Sequence, residues 1–417
     1  MFKVLKSRNL LFLTLSASVS QFGDRLTHMV IITLISIYDP GRIRAFSDFS
    51  VYFTLPVMIL APVAGVVVDH LSKRRIMFSA HLIQAGIIAI TPFFVKLTGS
   101  LTPIWFTVFI FFGLDLFNNT AKNSILPLVV PRENLLTANS ILLTVLRLST
   151  FAGMILGGVL VGAVGWHLGF YIDASTHLAA GLLVLGIMSA GIQEKLAPLF
   201  YKDITNSFRQ FYRELWELVM LLLRDRVVIF VMISVWVVPF VAAVSYTILI
   251  FIVQQVLGLG TSGVGLLGGV IGAGMVVGAV LLGWLGRNLN RFVVVVASIG
   301  LLGLLFIIGP LYVATITLLI MAVLSGMTIS FIGVCQDTIL QEEVAAEIRG
   351  RIFSTKEFIA SGSFLSSALF IGLISEVTNY KLLLTIFGVF LIIVALFTLL
   401  VVPRAHLKKP GPVEHIE

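Results

Sequence analysis

Runs of about twenty apolar residues recur along the whole chain, the length a helix needs to cross the hydrocarbon core of a bilayer. Twelve can be drawn between stretches of charge, glycine or proline: 10–37, 46–68, 76–96, 102–121, 136–163, 168–190, 227–253, 262–285, 292–312, 314–336, 353–376 and 382–402. Composition agrees, since 58% of the 417 residues are apolar and only 12% are charged, against about 45–50% and 25% in soluble domains. The expected fold class is an all-α membrane protein with twelve transmembrane helices.

Orientation follows from the basic residues, because loops rich in Lys and Arg stay cytoplasmic. An even number of spans puts both termini on one side, and that side collects most of the 28 Lys and Arg. They are Lys3, Lys6 and Arg8; Lys73, Arg74 and Arg75; Lys122 and Arg132; Lys195, Lys202, Arg209, Arg213, Arg224 and Arg226; Arg287 and Arg291; Arg349, Arg351 and Lys356; and Arg404, Lys408 and Lys409. The other side holds only Arg42, Arg44, Lys96 and Lys381. Both termini are therefore expected in the cytoplasm, with the chain integral to the cytoplasmic (inner) membrane. A cleaved signal peptide is not expected, because the apolar core Leu10 to Leu15 is too short for one.

The one long interval between spans, 191–226, divides the chain into an N-terminal six-helix bundle (1–190), a linker (191–226) and a C-terminal six-helix bundle (227–417). Within the linker, Ile204, Phe208, Phe211, Leu215, Leu218, Val219 and Leu222 recur at helical spacing. That pattern fits an amphipathic helix on the membrane surface or packed under the bundle. The halves are faintly self-similar. Asn123 to Ser140 aligns without gaps on Asp337 to Ser354, pairing Ile125 with Ile339, Leu126 with Leu340, Val130 with Val344, Glu133 with Glu347 and Ser140 with Ser354. Both stretches join the fourth and fifth spans of their half. Two pseudo-symmetric bundles with a site between them is a known transporter plan.

Ionisable residues inside spans are costly and tend to mark function. Asp24 and Arg25 fall mid-way along the first span, with His28 one turn beyond Asp24. Asp115 lies in the fourth span, followed by Asn118 and Asn119; Arg147 is near mid-depth in the fifth; Asp173 and His177 are four apart in the outer part of the sixth. Three acids against two Arg leave at least one carboxylate without a basic partner, and a carboxylate in a low-dielectric cavity holds its proton up towards neutral pH, the property a proton-coupled carrier needs. Asp24 is the first candidate for that role and Asp115 the second. Asp173, near the outer interface, reads as a solvated or helix-entry acid. The alternative for Arg147 is a buried pair with Asp115 or Asp24 that holds the bundle together. The second half offers Trp236, Gln254, Gln255, Gln336 and a serine-lined eleventh span but no mid-span acid. An asymmetric site is expected.

Other classes fall away. Neither HExxH, GxSxG nor GxxxxGK[ST] occurs, so no enzyme and no ATP site is expected. The basic residues sit in short pieces between spans, which leaves no face for nucleic acid. The single cysteine, Cys335, rules out a disulfide framework. No cofactor and no metal centre is expected, Asp24 with His28 being too small a ligand set on its own.

Between the second and third spans the chain reads Gly65-Val-Val-Val-Asp69-His70-Leu71-Ser72-Lys73-Arg74-Arg75. Physically this is a tight turn, with Gly65 permitting close helix approach. It resembles the Gly-x-x-x-Asp-[Arg/Lys]-x-Gly-[Arg/Lys]-[Arg/Lys] loop of the major facilitator superfamily, matching at Gly65, Asp69, Lys73 and Arg74 and departing at His70 and Ser72. By resemblance those four residues form a gating loop. The corresponding loop of the second half, 286–291, has no acid. FGD in the first span, Leu55 to Gly65, Ile125 to Ile141, Tyr171 to Ser175 and Ile348 to Ser354 look like the exporter branch that contains macrolide-type drug and siderophore efflux carriers. Lysophospholipid transporters are similar in several of the same segments, and ferroportin in Gly23 to His28. The drug-antiporter proline of the fifth span is absent, although Gly153, Gly157, Gly158 and Gly162 are present.

The expected function is a secondary transporter working by alternating access, a proton-coupled exporter of an amphipathic or lipophilic small molecule. Its expected partners are that substrate, protons and lipid, and it is expected to act as a monomer. The proton or substrate site is expected among Asp24, Arg25, His28, Asp115, Asn119, Arg147 and Asp173. Alternatives left open are a lysophospholipid flippase using Arg147 or Arg25, a divalent metal exporter using Asp24 and His28, and a membrane sensor or scaffold that does not transport.

Overall fold

A peptide group left unpaired in hydrocarbon costs several kcal/mol, so apolar runs of this length can cross only as helices or closed barrels. The computed structural model describes residues 7–131, 134–188, 201–222, 226–285, 289–343 and 346–402, and its long elements are all helical. Chain order is α1 (Arg8–Tyr38), α2 (Ile43–His70), α3 (Lys73–Thr98), α4 (Thr102–Val129), α5 (Leu135–Leu185), α6 (Tyr201–Leu222), α7 (Arg226–Val244), α8 (Gly260–Leu285), α9 (Arg291–Ile308), α10 (Thr315–Glu343), α11 (Ala346–Ile374) and α12 (Tyr380–Val401). Among the described residues, nine helices are long and apolar enough to cross a membrane. The ionisable content of α1 keeps it out of that set. Lys3, Lys6, Arg132, Lys195, Arg224, Arg287, Arg404, Lys408 and Lys409, part of the expected charge bias, lie outside the described residues, as does much of the second-half loop 286–291. Lys122, expected in a loop, is a correction: α4 continues to Val129, and Lys122 is a buried residue within it.

The fifth and sixth spans form one 51-residue element, α5, interrupted by a single residue. Gly165 has φ 79° and ψ 166°, a conformation that only glycine adopts readily, and the helix breaks there into arms 135–164 and 166–185. Beyond Pro239, α7 runs into two π-helical turns, Ser245–Leu249 and Ile252–Val256. In α6, Ile204, Phe208 and Phe211 are half-buried while Arg209, Tyr212, Arg213 and Trp216 are exposed. The hydroxyl of Ser207 donates to the Pro62 carbonyl of α2 at 2.5 Å.

Backbone contacts divide the described chain into two units. One takes in Met1–Ala45, Val51–Tyr212 and Val253–Gly269; the other takes in Phe46–Ser50, Arg213–Ile252 and Val270–Glu417. In the first, α1 packs along α5, and α3 packs on both α4 and α5. One end of this unit is closed by an apolar cluster that includes Leu10, Leu13, Met77, Ile125, Leu142 and Val184. Polar side chains hold the end of α5 there. Arg74 donates to the carbonyls of Val184 (3.3 Å) and Leu185, a favourable place for a cation on unpaired helix-end carbonyls. The Met188 amide donates to Asn9 Oδ1 at 2.8 Å, and Asn9 Nδ2 donates back to the Met188 carbonyl at 3.4 Å. Asn9→Ala removes both bonds and is expected to cost about 0.5–1.5 kcal/mol, read as a small fall in the unfolding temperature of the purified protein.

In the second unit, α9 packs on α10 and α12, and α7 on α11. Trp236 stacks on Phe240 at 4.9 Å, and the Ser363 hydroxyl donates to the Trp236 carbonyl at 2.7 Å. Lys356 pairs with Asp337 and Arg291 with Glu342.

Candidate functional site

Burying a charge in an apolar bundle demands partners, and the first unit gathers them in one place. Asp24 of α1, His81 of α3 and Asp173 and His177 of α5 are all buried. The geometry starts from the i, i+4 spacing of Asp173 and His177, which puts both on one face of the second arm of α5. His177 Nε2 stands 3.6 Å from Asp173 Oδ1 and 3.5 Å from Asp24 Oδ1, bridging α5 and α1. The Thr27 hydroxyl of α1 donates to Asp173 Oδ2. Thr176 donates to Asp173 Oδ1 at 3.2 Å and to the Asp173 carbonyl at 2.8 Å. On the far edge of the imidazole, His177 Nδ1 lies 3.4 Å from His81 Nδ1.

Aromatic rings seal this cluster from water. Phe111 meets His177 edge-on with ring centroids 5.1 Å apart. His28 turns its ring to Phe53 and Phe112, at 5.8 and 5.4 Å, and its Nδ1 to the Asp24 carbonyl at 2.6 Å. Gln84, one turn from His81 on α3, donates to the Phe111 carbonyl at 3.2 Å. Asp24 Oδ1, His81 Nε2, His177 Nε2 and Gln84 Oε1 make no hydrogen bond of good geometry. The Asp24–His177 approach of 3.5 Å is an ion-pair distance that bending or a small shift would turn into a hydrogen bond.

The remaining candidates divide around this cluster. Asp115 of α4 is half-buried and within electrostatic reach of Asp24, Lys122, His177 and Arg25. Asn119 accepts from Lys122 Nζ at 2.5 Å. Arg25 is half-buried, with its Nε enclosed and unbonded. Arg147 is exposed and makes no ion pair or hydrogen bond with the described residues, so the expected alternative of a buried pair with Asp24 or Asp115 is not what the structure shows. Asp173 is a second correction. It is fully buried rather than solvated, because the face on which it lies, not its distance along the helix, sets its exposure. Of the loop residues, Asp69 is exposed and Lys73 is buried at the start of α3. Gly65 is a third correction, since a methyl group placed there would meet nothing within 4 Å.

His81 and Gln84 were missed in the sequence. The signal was present: His81 and Gln84 lie about one turn apart in a mostly apolar span, close to the four-residue spacing that marked Asp24 with His28 and Asp173 with His177. Among the described residues no group of three or more His, Cys, Asp or Glu side chains is placed to hold a metal ion.

A second feature of the first unit is the contact of α5 with the start of α8. A methyl group on Gly158 would lie 2.9 Å from the Thr261 carbonyl and 3.0 Å from Gly265 Cα, and one on Gly265 would lie 2.5 Å from the Met154 carbonyl. Polar contacts flank it: Thr33 with Thr261 at 2.5 Å, and Ser262 to the Gly158 carbonyl at 3.3 Å.

The sequence pattern of the Major Facilitator Superfamily matches residues 13–366. Macrolide efflux protein A of Streptococcus pyogenes is 25% identical over 368 residues, covering 86% of this chain and 85% of its own. A putative bacilysin exporter of Bacillus subtilis (strain 168) is 25% identical over 337 residues, covering 80% and 81%. Among solved structures, a bacterial homologue of the human lysosomal transporter Spinster, inward-facing and unoccupied, superposes with a TM-score of 0.70. It is 15% identical and covers 98% of this chain and 99% of its own.

Proposed function

Because the chain belongs to the major facilitator superfamily, we propose that it exports an amphipathic or lipophilic small molecule by alternating access, coupled to protons through the Asp24 cluster. The observation that carries this reading is the set of two carboxylates and two imidazoles buried in an apolar bundle. A purely structural core has no reason to bear that cost. The exporter direction and the substrate class are supported by the macrolide and bacilysin relatives. In this reading Asp24 takes up the proton, with Asp115, Asn119, Arg25, His28 and Asp173 around it, and Gly65, Asp69, Lys73 and Arg74 form the gating loop. Residues 1–190 and 227–417 are the two six-helix bundles, joined by 191–226, in a twelve-span monomer of the inner membrane with cytoplasmic termini.

The test is uptake of radiolabelled erythromycin into inverted vesicles. Asp24→Asn is expected to abolish uptake driven by a proton gradient while leaving exchange of substrate across the membrane. Gradient-driven uptake unchanged in this variant would remove Asp24 from the coupling.

Arg147, exposed and without an ion pair or hydrogen bond among the described residues, favours one second reading, a lysophospholipid flippase in which this guanidinium holds the phosphate. That reading expects lysophospholipid to raise the unfolding temperature of the wild-type protein and not of Arg147→Ala.

A further inference from the structure

A single carboxylate suffices to hold a coupling proton, which leaves the paired histidines without a role. Both rings are 1% exposed, and a buried imidazole is costly unless its nitrogens have partners. Their geometry limits what they can do. The two Nδ1 atoms face each other at 3.4 Å, so in a hydrogen bond one must carry hydrogen and the other must be bare. The tautomers of the two rings are thereby coupled. With the hydrogen on His177 Nδ1, neutral His81 carries its own on Nε2; with the hydrogen on His81 Nδ1, neutral His177 carries its own on Nε2, towards Asp24 and Asp173.

We propose that His177 and His81 form a proton relay that passes the coupling proton from the Asp24–Asp173 pair of α1 and α5 across to α3. The relay rests on the proton-coupled reading above. A proton arriving at the carboxylates forms an Nε2–H bond on His177, which becomes an imidazolium. Its Nδ1–H bond then breaks as an Nδ1–H bond forms on His81, and His81 gives its Nε2 hydrogen to water admitted when the transport cycle opens the now enclosed face of α3. One proton has crossed and both rings are neutral again in exchanged tautomers; the pair is reset when each ring loses its hydrogen from one nitrogen and regains one on the other, His177 from Nε2 to Nδ1 and His81 from Nδ1 to Nε2.

The groups around the pair give the relay a resting place and an exit. Asp24, Asp173 and, from α4, Asp115 act on His177. His81 feels Asp24, but also the positive charge of Lys122 from α4 and of His177 itself when protonated. Arg25 of α1 acts on Asp24 and Asp115, and His28 faces Phe53 and Phe112. His177 is the ring that stands at ion-pair distance from carboxylates, Asp24 at 3.5 Å and Asp173 at 3.6 Å. Gln84, its amide nitrogen donating to the Phe111 carbonyl, has Oε1 left as an acceptor that a small shift brings into a hydrogen bond with the His81 Nε2–H, orienting that hydrogen without taking the proton.

Two measurements on the full-length protein test this. In proteoliposomes, His81→Gln and His177→Gln are expected to lose gradient-driven erythromycin uptake about 100-fold, the scale of a missing acid–base group, while substrate exchange persists. In the wild-type protein labelled with 15N-histidine, the relay requires the nitrogens of both rings to move together through one titration, with His81 changing tautomer as His177 gains its proton. Coupled uptake retained in His81→Gln, or a His81 tautomer that stays fixed while His177 titrates, overturns the relay. If Asp24→Asn alone loses coupling, the relay fails and the proton-coupled reading stands; if Asp24→Asn keeps coupling, both fail together.

Discussion

Gly265→Leu is expected to cut transport at least about 100-fold while the protein still reaches the membrane in normal amount. Extra methylenes in a packed core usually cost about 1–3 kcal/mol, because neighbouring side chains shift to admit them. Here the first atoms met are backbone: the Met154 carbonyl at 2.5 Å and Gly158 Cα at 3.2 Å. Backbone within a helix has no rotamer to change, so α5 and the start of α8 must separate, breaking the Ser262–Gly158 bond and the Thr33–Thr261 contact. About 3 kcal/mol against this contact is roughly two decades in the equilibrium between joined and parted forms. A carrier that must form and break the contact in each cycle is then held in the parted form. Initial uptake rates, normalised to protein in the membrane, check this. Gly86→Ala is the matched control, since a methyl group there meets nothing within 4 Å. Wild-type uptake in Gly265→Leu would show that this contact is not remade during transport.

Hydropathy made the helices legible because a bilayer leaves the backbone so few options. The chain-wide rhythm of apolar runs was enough to anticipate helical spans and a mid-chain amphipathic helix, which the structure places at Tyr201–Leu222. It could not show that the fifth and sixth spans share one long element broken only at Gly165, because a one-residue break leaves no polar loop to see. For the candidate site, the residue types were legible and their facing was not. Asp24 and the Asp173–His177 spacing stood out as charges in apolar runs, yet depth along a span says nothing about which way a side chain points. From the sequence alone Asp173 therefore reads as solvent-facing and Arg147 as a candidate for a buried pair, whereas in the structure Asp173 is enclosed and Arg147 is exposed. The helical period explains the second case. Ser149 faces α1 and meets Ser18 at 2.6 Å, and Arg147, two residues earlier, is turned through about 200° from it. The His81–His177 contact joins residues 96 positions apart. Only the packing of α3 on α5 brings those rings together.

That packing makes Asp173 the residue whose loss the fold should tolerate least. Asp173→Leu keeps the volume but removes the acceptor for the Thr27 and Thr176 hydroxyls and one of the two carboxylates facing His177 Nε2. Breaking one side of a buried charged network costs about 3–5 kcal/mol, since the partners stay buried without their bonds. The expected result is a large fall in unfolding temperature, or loss of folded protein. Asp173→Asn keeps a carbonyl acceptor for Thr27 and gives up only the charge, so its cost should be nearer the 1–3 kcal/mol of a single impaired buried bond, about that of an unsatisfied group. The decisive comparison is a triple variant, Asp173→Leu with Thr27→Val and His177→Phe, which also removes two of the polar partners and leaves Asp24, His81 and Thr176 in place. Apolar replacement of an entire buried network is often neutral or stabilising. The triple variant replaces part of the network and should therefore recover part of the stability that Asp173→Leu loses, while, in the proton-coupled reading, remaining unable to couple transport to protons. Recovery of stability without coupling would separate what this cluster does for the fold from what it does for transport. A triple variant no more stable than Asp173→Leu would mean that the carboxylate's contribution lies in its packing against Gly23 of α1, where a methyl group would come within 2.4 Å of Asp173 Oδ1, and not in its hydrogen bonds.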